Sequence, residues 1–518
     1  ASHSYSYTEQ IVANMGYNTA STAADPRPMV IRQLDFKDGP KFIVKDSLLL
    51  TADWKVTPRL TASLNATYSY FEGEFWNRNF TFVAANDNAN VNNGRSTVGG
   101  DGISTIVATR LPTGAQWNVA QLNNGGGGAA KLTYTRQLSP RFEYKNGGLV
   151  VDGALGFSKS VNNYESNERG FSSNEGGNLP ASWIATRSGP QAWEWTIRQT
   201  SGADWSNLAN WTGGTRVTND DRTWITEKWT GTANARYVLP FMQRFPTAVK
   251  VGSKWDEETR KNRDHNAWSS WSYIGPGGNT ATYNPATETW TAQTVGNWAN
   301  LGPEFVSANP FELGKTNAWA GGGVTNINDV LGRPARASRN AMAELMASRP
   351  DLFINTTTAE NYYTSWIANF KNIRQTITSG YGQADTRFTR KLQVRYGLRW
   401  EETKTDSIEW DPLSAKQMYE SSPFASQFTR NATTGVVTPA RSTSISGLNY
   451  QYKSQPRVTR SGKYDDFFPS ISMKYNILSN FEWQAGFNRS IGRPSINSLS
   501  GLWVVDEQNQ RVTAPNPE

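Results

Sequence analysis

Between Leu60 and Tyr70 the chain alternates without a break: Leu60, Ala62, Leu64, Ala66, Tyr68 and Tyr70 are apolar, while Thr61, Ser63, Asn65, Thr67 and Ser69 are polar. Side chains on a strand point to opposite faces with period two, so this run puts apolar groups on one side and hydroxyls on the other. A strand crossing a bilayer at about 45° of tilt needs roughly 9–11 residues, and the run has that length. Taken alone, it also fits an amphipathic strand of a soluble sandwich.

The pattern recurs and predicts five hairpins. The first joins Ser47–Val56, with Leu48, Leu50, Ala52, Trp54 and Val56 on one face, to Leu60–Tyr70 through Thr57-Pro58-Arg59. The second pairs Ala130–Leu138 with Leu149–Ser158, and the third runs from Trp229 to Leu239 and returns along Val249, Val251, Ser253 and Trp255. The fourth uses Thr376–Arg387 and then Leu392, Val394, Tyr396, Leu398 and Trp400, interleaved with Gln393, Arg395, Gly397, Arg399 and Glu401. The fifth pairs Ser470–Ile477 with Phe481–Ile491. Connections inside the hairpins are short and hold Pro, Asn or Ser suited to tight turns. Those between hairpins are long: Phe71–Ala129, Lys159–Arg222, Glu258–Ile373 and Lys404–Asp466. Structureless connections beyond about 15 residues are uncommon in compact soluble domains. Short turns alternating with long loops are the mark of a barrel with one periplasmic and one external rim.

The long connections are rich in tryptophan, with Trp183, Trp193, Trp195, Trp205 and Trp211 in one and Trp268, Trp271, Trp290, Trp298 and Trp319 in another. Disordered segments are poor in aromatics, so these loops are expected to fold into small hairpins and helical turns. Good helix formers over Ala337–Arg349, with Ser338 as a cap and Pro350 behind, predict a short helix.

Composition sharpens this picture. An aromatic content of 12% in 518 residues coexists with a mean hydropathy of −0.61, as expected of a wall apolar on one face only with polar loops. No run of about 18 apolar residues is present, so no transmembrane helix is expected. The absence of Cys removes disulfides and thiolate chemistry. The net charge of +8 is spread along the chain without a basic block, so no nucleic-acid partner is expected. His3 and His265 are isolated, no His pair stands at helical spacing, and neither a catalytic site, a metal site nor a cofactor is expected. Gly125–Gly128 followed by Lys131 lacks the Ser or Thr of a phosphate loop. The asparagines Asn88, Asn90 and Asn92 lack the acidic partners of a calcium site.

The stretch Tyr464-Asp465-Asp466-Phe467-Phe468-Pro469-Ser470-Ile471-Ser472-Met473-Lys474-Tyr475, followed by Trp483–Ser490 and Ile491-Gly492-Arg493-Pro494, resembles a barrel segment of TonB-dependent outer-membrane receptors. Gly397-Leu398-Arg399-Trp400-Glu401-Glu402-Thr403 is similar to that family's Gly-x-Arg-aromatic-Glu-x-Thr strand end, and Lys250–Trp255 resembles another of its strands. The resemblance covers about the middle half of a receptor whose full barrel has about 22 strands around a plug. It implies active uptake of a scarce, bulky ligand across the outer membrane, powered by an inner-membrane TonB complex acting on the plug.

The expected fold is therefore all-β: a partial antiparallel transmembrane β-barrel of about ten strands, with short periplasmic turns and very long extracellular loops, filling residues 1–518 as one domain. The polar, aromatic start Ala1–Gln10 and the close Ala514-Pro515-Asn516-Pro517-Glu518 suggest an internal segment without plug or final strands, so contact with TonB would run only through a plug outside this chain. Trp54, Tyr237, Tyr68, Tyr70, Trp255 and Trp400 are expected in aromatic girdles. Arg395, Arg399 and Glu401 are expected to face the lumen. Trp268, Trp271, Trp290, Trp298 and Trp319 are the candidate ligand contacts, because indole faces stack on sugar rings and planar chelates. The expected function is an outer-membrane receptor and transporter for a siderophore, another metal chelate or an oligosaccharide, in contact with outer-membrane lipid or lipopolysaccharide of a Gram-negative cell. A secreted, soluble, β-rich glycan-binding protein is the alternative, and no enzymatic activity is expected.

Overall fold

The computed structural model describes residues 1–8, 11–18, 27–38, 41–84, 96–110, 120–165, 177–192, 195–211, 216–219, 221–262, 269–274, 281–292, 332–335, 339–496, 499, 504–506 and 511–513. Its main feature is a curled, antiparallel, 17-stranded sheet. The chain enters through β1 (Ser2–Thr8), β2 (Ile11–Asn18), β3 (Val30–Asp38) and β4 (Lys41–Thr57). β3 and β4 lie end to end along one neighbour, β5 (Leu60–Val83); β2 pairs with β3, and β1 with β4. The strand β6 (Ser96–Gly99) and the strand β7 (Thr105–Arg110) follow, then β8 (Gln121–Asn146) and β9 (Leu149–Glu165). β10 (Gly177–Thr186) joins the sheet by pairing with β7 and β8, and β11 (Thr196–Gly202) pairs with β10. After β12 (Arg216–Asn219) the wall resumes with β13 (Arg222–Val238) and β14 (Thr247–Asn262).

The third long connection carries β15 (Ser269–Tyr273), the hairpin of β16 (Ala281–Asn284) and β17 (Thr289–Ala292), the helix α1 (Arg339–Ser348), β18 (Phe353–Asn355) and α2 (Ala359–Tyr362). Two more wall strands, β19 (Asn372–Arg387) and β20 (Leu392–Glu409), lead to α3 (Ala415–Ser421), β21 (Thr429–Arg430), β22 (Val437–Thr438) and α4 (Ile445–Lys453). The last wall hairpin is β23 (Val458–Leu478) with β24 (Phe481–Asn488). The ladder thus runs β1–β4–β5–β8–β9–β13–β14–β19–β20–β23–β24. β1 and β24 flank it without pairing with each other, so the barrel is not closed.

All five expected hairpins form, and the helix forms within its expected span. The strands overrun their apolar runs, however, and β1–β3 were not foreseen. β5 continues to Val83, past Glu72 and Glu74, which break the apolar row ending at Tyr70; at its upper end Phe80 and Phe82 on one face and Val83 on the other are buried. The first arm of the second hairpin does not stop at Leu138. β8 runs on to Asn146 and turns at Gly147-Gly148, where Gly147 has φ +55°, a conformation that suits glycine. Ser139-Pro140 reads as a turn, yet Pro140 pairs with Leu64 of β5. On the β9 side the ladder skips Ser139 and Pro140, where proline has no N–H to give.

The register assembles the alternating runs into one face. Leu48 faces Tyr68, Ala66 faces Leu138, Leu138 faces Phe157 and Phe157 faces Trp229. Further round, Val251 faces Gly382, which faces Leu398, and Tyr396 faces Ile471, which faces Phe487. This face is exposed: Leu155 is 61% accessible, Trp54 67% and Phe487 65%. The opposite, concave face carries polar groups, and several are buried, among them Asp256, Ser379, Glu401, Thr403, Thr405 and Ser407. The wall is inside out relative to a soluble sheet.

The larger described apolar cores lie where the long connections fold together. The largest joins Leu34, Phe36, Phe80, Phe82, Ile106 and Leu122 to Trp183, Trp195, Trp205 and Trp211. Trp183 meets Phe82 edge-on at 5.7 Å, and its indole N–H donates to the Val83 carbonyl at 3.2 Å. These four tryptophans are therefore a conventional core, and Trp193 lies outside the described residues. Beside this core, Asp101 sits between Gly100 and Gly102, both in left-handed conformation, and its Oδ1 accepts the N–H groups of Ile103, Ser104 and Thr105 at 2.9, 2.7 and 2.7 Å. Burial works to raise the carboxyl's pKa, but the three N–H donors outweigh it and hold it below the usual aspartate range.

Two outcomes are expected. Trp183→Ala lowers stability by about 3–5 kcal/mol; limited proteolysis should then cut the connections while infrared absorption of the wall strands is unchanged. The Asp101 turn is stabilised above the unfolded aspartate pKa of about 3.9, and that contribution disappears as pH falls through the lower folded value. Hydrogen exchange at Ser104 and Thr105 should accelerate over that acidic window in the wild type and already at neutral pH in Asp101→Ala.

Candidate functional site

Two regions bear on function: the concave face of the wall and the assembly of connections above it. On the concave face, charged groups neutralise one another across strands. Lys228 and Lys254 hold the two oxygens of Asp256 at 3.0 and 3.2 Å. Asp385 accepts from Gln393 at 2.6 Å and from Arg395 at 3.0 Å. These last groups, with Ser472, Lys474 and Gln484, line an open cleft of 420 Å³ near the short-turn rim.

The residues that carried the family resemblance cluster on this face and its edge. Glu401 is 8% exposed; Arg399, on the same strand, donates to it at 2.5 Å, and Arg493 reaches it from the far end of the chain. Arg493 also donates to Thr403 Oγ1 at 3.3 Å. Asp466 stands opposite Glu401 in the ladder and binds Arg489 at 2.8 Å. After β24 the chain turns onto the concave side, and Ile496 and Leu499 pack against Ile373. Pro494 follows Arg493 within this returning segment.

The remaining motif residues are structural. Gly397 lies where a side chain would collide with the Gly382 carbonyl, 2.9 Å away. Tyr464 and Pro469 stand in β23, Pro469 opposite Leu398 and accepting from the Arg489 N–H at 3.2 Å. Asp465 lies on the apolar side, accepting from Trp400 Nε1 at 3.1 Å. Alternation placed Arg399 and Glu401 on the inward face, and the family resemblance singled out Arg493 separately. Their meeting depends on the return of the chain after β24, which no local pattern announces, and Arg489 was missed for the same reason.

Of the expected girdle, Trp54, Tyr237, Tyr68 and Trp255 are exposed on the apolar face. Tyr70 instead packs with Tyr134 at 5.1 Å beside Ala130 and Leu132, and donates to Glu72.

The five candidate tryptophans of the third connection part ways. Trp268, Trp298 and Trp319 lie outside the described residues. Trp271 is half-buried against the cluster of Val217, Tyr273, Leu352 and Phe353. Trp290 is 38% exposed on β17, its ring 5.0 Å from that of Tyr283 across the hairpin. Beneath, Arg457 lies between Phe370 and Trp410 at 4.1 and 4.2 Å, and Arg441 lies over Tyr363 at 4.1 Å. These cation–aromatic stacks join the segments that flank α2 and α4, and Tyr362 of α2 donates its hydroxyl to Asn449 Oδ1 of α4 at 2.7 Å. The phenol of Tyr452, buried beside Tyr363, is pushed above the ordinary tyrosine range by burial. Among the described residues no group of three or more His, Asp or Glu is placed to hold a metal ion.

No protein-family model matches the chain, and no curated protein does. Among solved structures, the ferric yersiniabactin uptake receptor FyuA from Yersinia pestis aligns over 93% of this chain and 67% of its own, at 7% identity and a TM-score of 0.10. The outer membrane transporter YddB from Escherichia coli aligns over 90% of this chain and 63% of its own, at 8% identity and a TM-score of 0.10. At that score neither superposition bears on fold or function.

The ion cluster yields a direct expectation. Glu401→Ala strands two arginines and lowers stability by about 2–4 kcal/mol. Arg493→Ala, which leaves the Arg399–Glu401 pair intact, costs less but frees the segment after Asn488 to exchange amide hydrogens and to be cut by protease. Denaturant unfolding in detergent, with peptide-resolved exchange, measures both.

Proposed function

We propose that this chain forms part of the wall and mouth of an outer-membrane β-barrel receptor of the TonB-dependent kind, which captures a scarce, bulky ligand through its long connections and imports it. The observation that carries this reading is the inverted wall: apolar rows exposed on the convex face and charged groups neutralised on the concave one. Water on both faces would leave the exposed rows without a partner, whereas hydrocarbon accepts them. Strand runs such as Leu60–Tyr68 and Leu149–Phe157 match an apolar band about 25 Å tall at the usual strand tilt. Charged groups begin just past it at Asp46, Arg136, Lys159 and Glu402, where lipopolysaccharide headgroups would meet them. No helix among the described residues is long and apolar enough to cross a membrane, so spanning falls to strands.

In this reading the concave ion pairs face an interior filled by a plug that the TonB complex pulls upon. The ligand, a siderophore, another metal chelate or an oligosaccharide, is taken up by the aromatic connections. Catalysis has no part in it.

The test is a charge in the middle of the exposed rows. Leu155→Arg is nearly neutral for a soluble sheet but costs about 2–4 kcal/mol at a bilayer midplane. Folding into lipid vesicles, followed by heat-modifiable gel mobility, should be impaired by Leu155→Arg and unaffected by Thr232→Arg on the concave face. A wild-type chain that stays monomeric without detergent would overturn the membrane assignment.

A further inference from the structure

Among the described tryptophans outside the wall, Trp290 of the third connection stands apart by its exposure. Trp183, Trp195, Trp205, Trp211 and Trp410 are all buried, and Trp271 is half-buried in a core. Trp290 and Tyr283, in contrast, are 38% and 44% exposed, directly opposite each other in the β16–β17 ladder, with their planes inclined at 47°. Exposing two large rings side by side costs solubility and contributes no core packing.

The hairpin that carries them is fixed in place. Glu288, held at φ +54°, accepts the Ser446 N–H in the first turn of α4 at 2.8 Å. Thr287 and Thr289 share a hydrogen bond at 2.7 Å, and Asn284 Oδ1 accepts the Ala286 N–H at 3.0 Å. The two rings are thus held ready, with little ordering left to do when something binds.

We propose that Tyr283 and Trp290 form a stacking platform for a neutral saccharide; this deepens the uptake reading above. The rings offer apolar faces for the C–H side of a pyranose. From Ala281 to Ala292 the remaining polar residues are Thr and Asn, and the one charged side chain, Glu288, is spent on α4. A polyanionic ferric chelate finds no cation on this hairpin, whereas hydroxyl groups find uncharged partners.

The experiment titrates the full 518-residue protein in detergent micelles with cellohexaose, maltohexaose and xylohexaose, and with ferric citrate as the charged chelate, by calorimetry. Saturable binding of at least one hexasaccharide is expected. Trp290→Ala and Tyr283→Ala should each weaken it at least about tenfold, while Trp290→Phe, which keeps a ring, should stay within about threefold. Both side chains are exposed, so folding should be unchanged by circular dichroism. Absence of saturable binding to all three sugars, equal affinity in both alanine variants, or Trp290-dependent binding of ferric citrate alone would each overturn the platform. The membrane reading fails separately. A protein that enters vesicles but binds no sugar loses only the platform, and one that binds sugar through Trp290 without needing detergent loses only the membrane assignment.

Discussion

Everything in this molecule depends on the register of one antiparallel ladder. Period-two alternation within a strand only sorts side chains to two faces; it is the pairing of neighbours that makes those faces continuous. A slip of one residue in any pair would send that strand's apolar set to the concave side and its charged set outward. The turns fix the register. Thr57 caps the first hairpin by accepting the Arg59 and Leu60 N–H groups, and Thr389 does the same for Lys391 and Leu392. Polar pairing across the concave face adds a second restraint, since Lys228 reaches Asp256 and Arg395 reaches Asp385 from the neighbouring strand.

Wall and connections draw their stability from different sources. The connections close over cores built from tryptophan, phenylalanine and leucine, driven by burial of apolar area. Among the described residues the wall has no second layer on its apolar face, so its cohesion comes from backbone hydrogen bonds and from whatever solvent wets that face. Lipid suits it because strands in a sheet satisfy their N–H and C=O groups among themselves.

The legibility of the sequence follows this division. Where one face meets polar surroundings and the other an apolar medium, alternation survives in the residues, and the hairpins from Leu48 to Phe487 could be read directly. Where Glu72 and Glu74 interrupt the apolar row of β5, and Ser139-Pro140 interrupts β8, the signal breaks, and both strands were read too short. β1 was missed although Ser2–Thr8 alternates, because the run is short and has no aliphatic side chain, and β3 because Arg32 interrupts the face of Val30, Leu34 and Phe36. At the candidate site, Arg399 and Glu401 were legible as inward positions of β20. Their capture by Arg493 was not, since contacts between residues so far apart in the chain leave no trace in local pattern. Among the connection tryptophans, indole content was legible, but whether each ring packs or faces outward is set by tertiary structure. Trp271 and Trp290 stand close in the chain and have different fates.

β5 and β8 belong to both regions at once. Their ladder runs unbroken from Leu60 opposite Tyr144 to Val83 opposite Gln121, passing from the apolar wall into the tryptophan core without an interruption. A hinge needs a stretch of backbone free to change its dihedral angles, and this stretch is tied on every step. The part of the connection assembly built on these strands is therefore a fixed buttress, rigid with the wall below it.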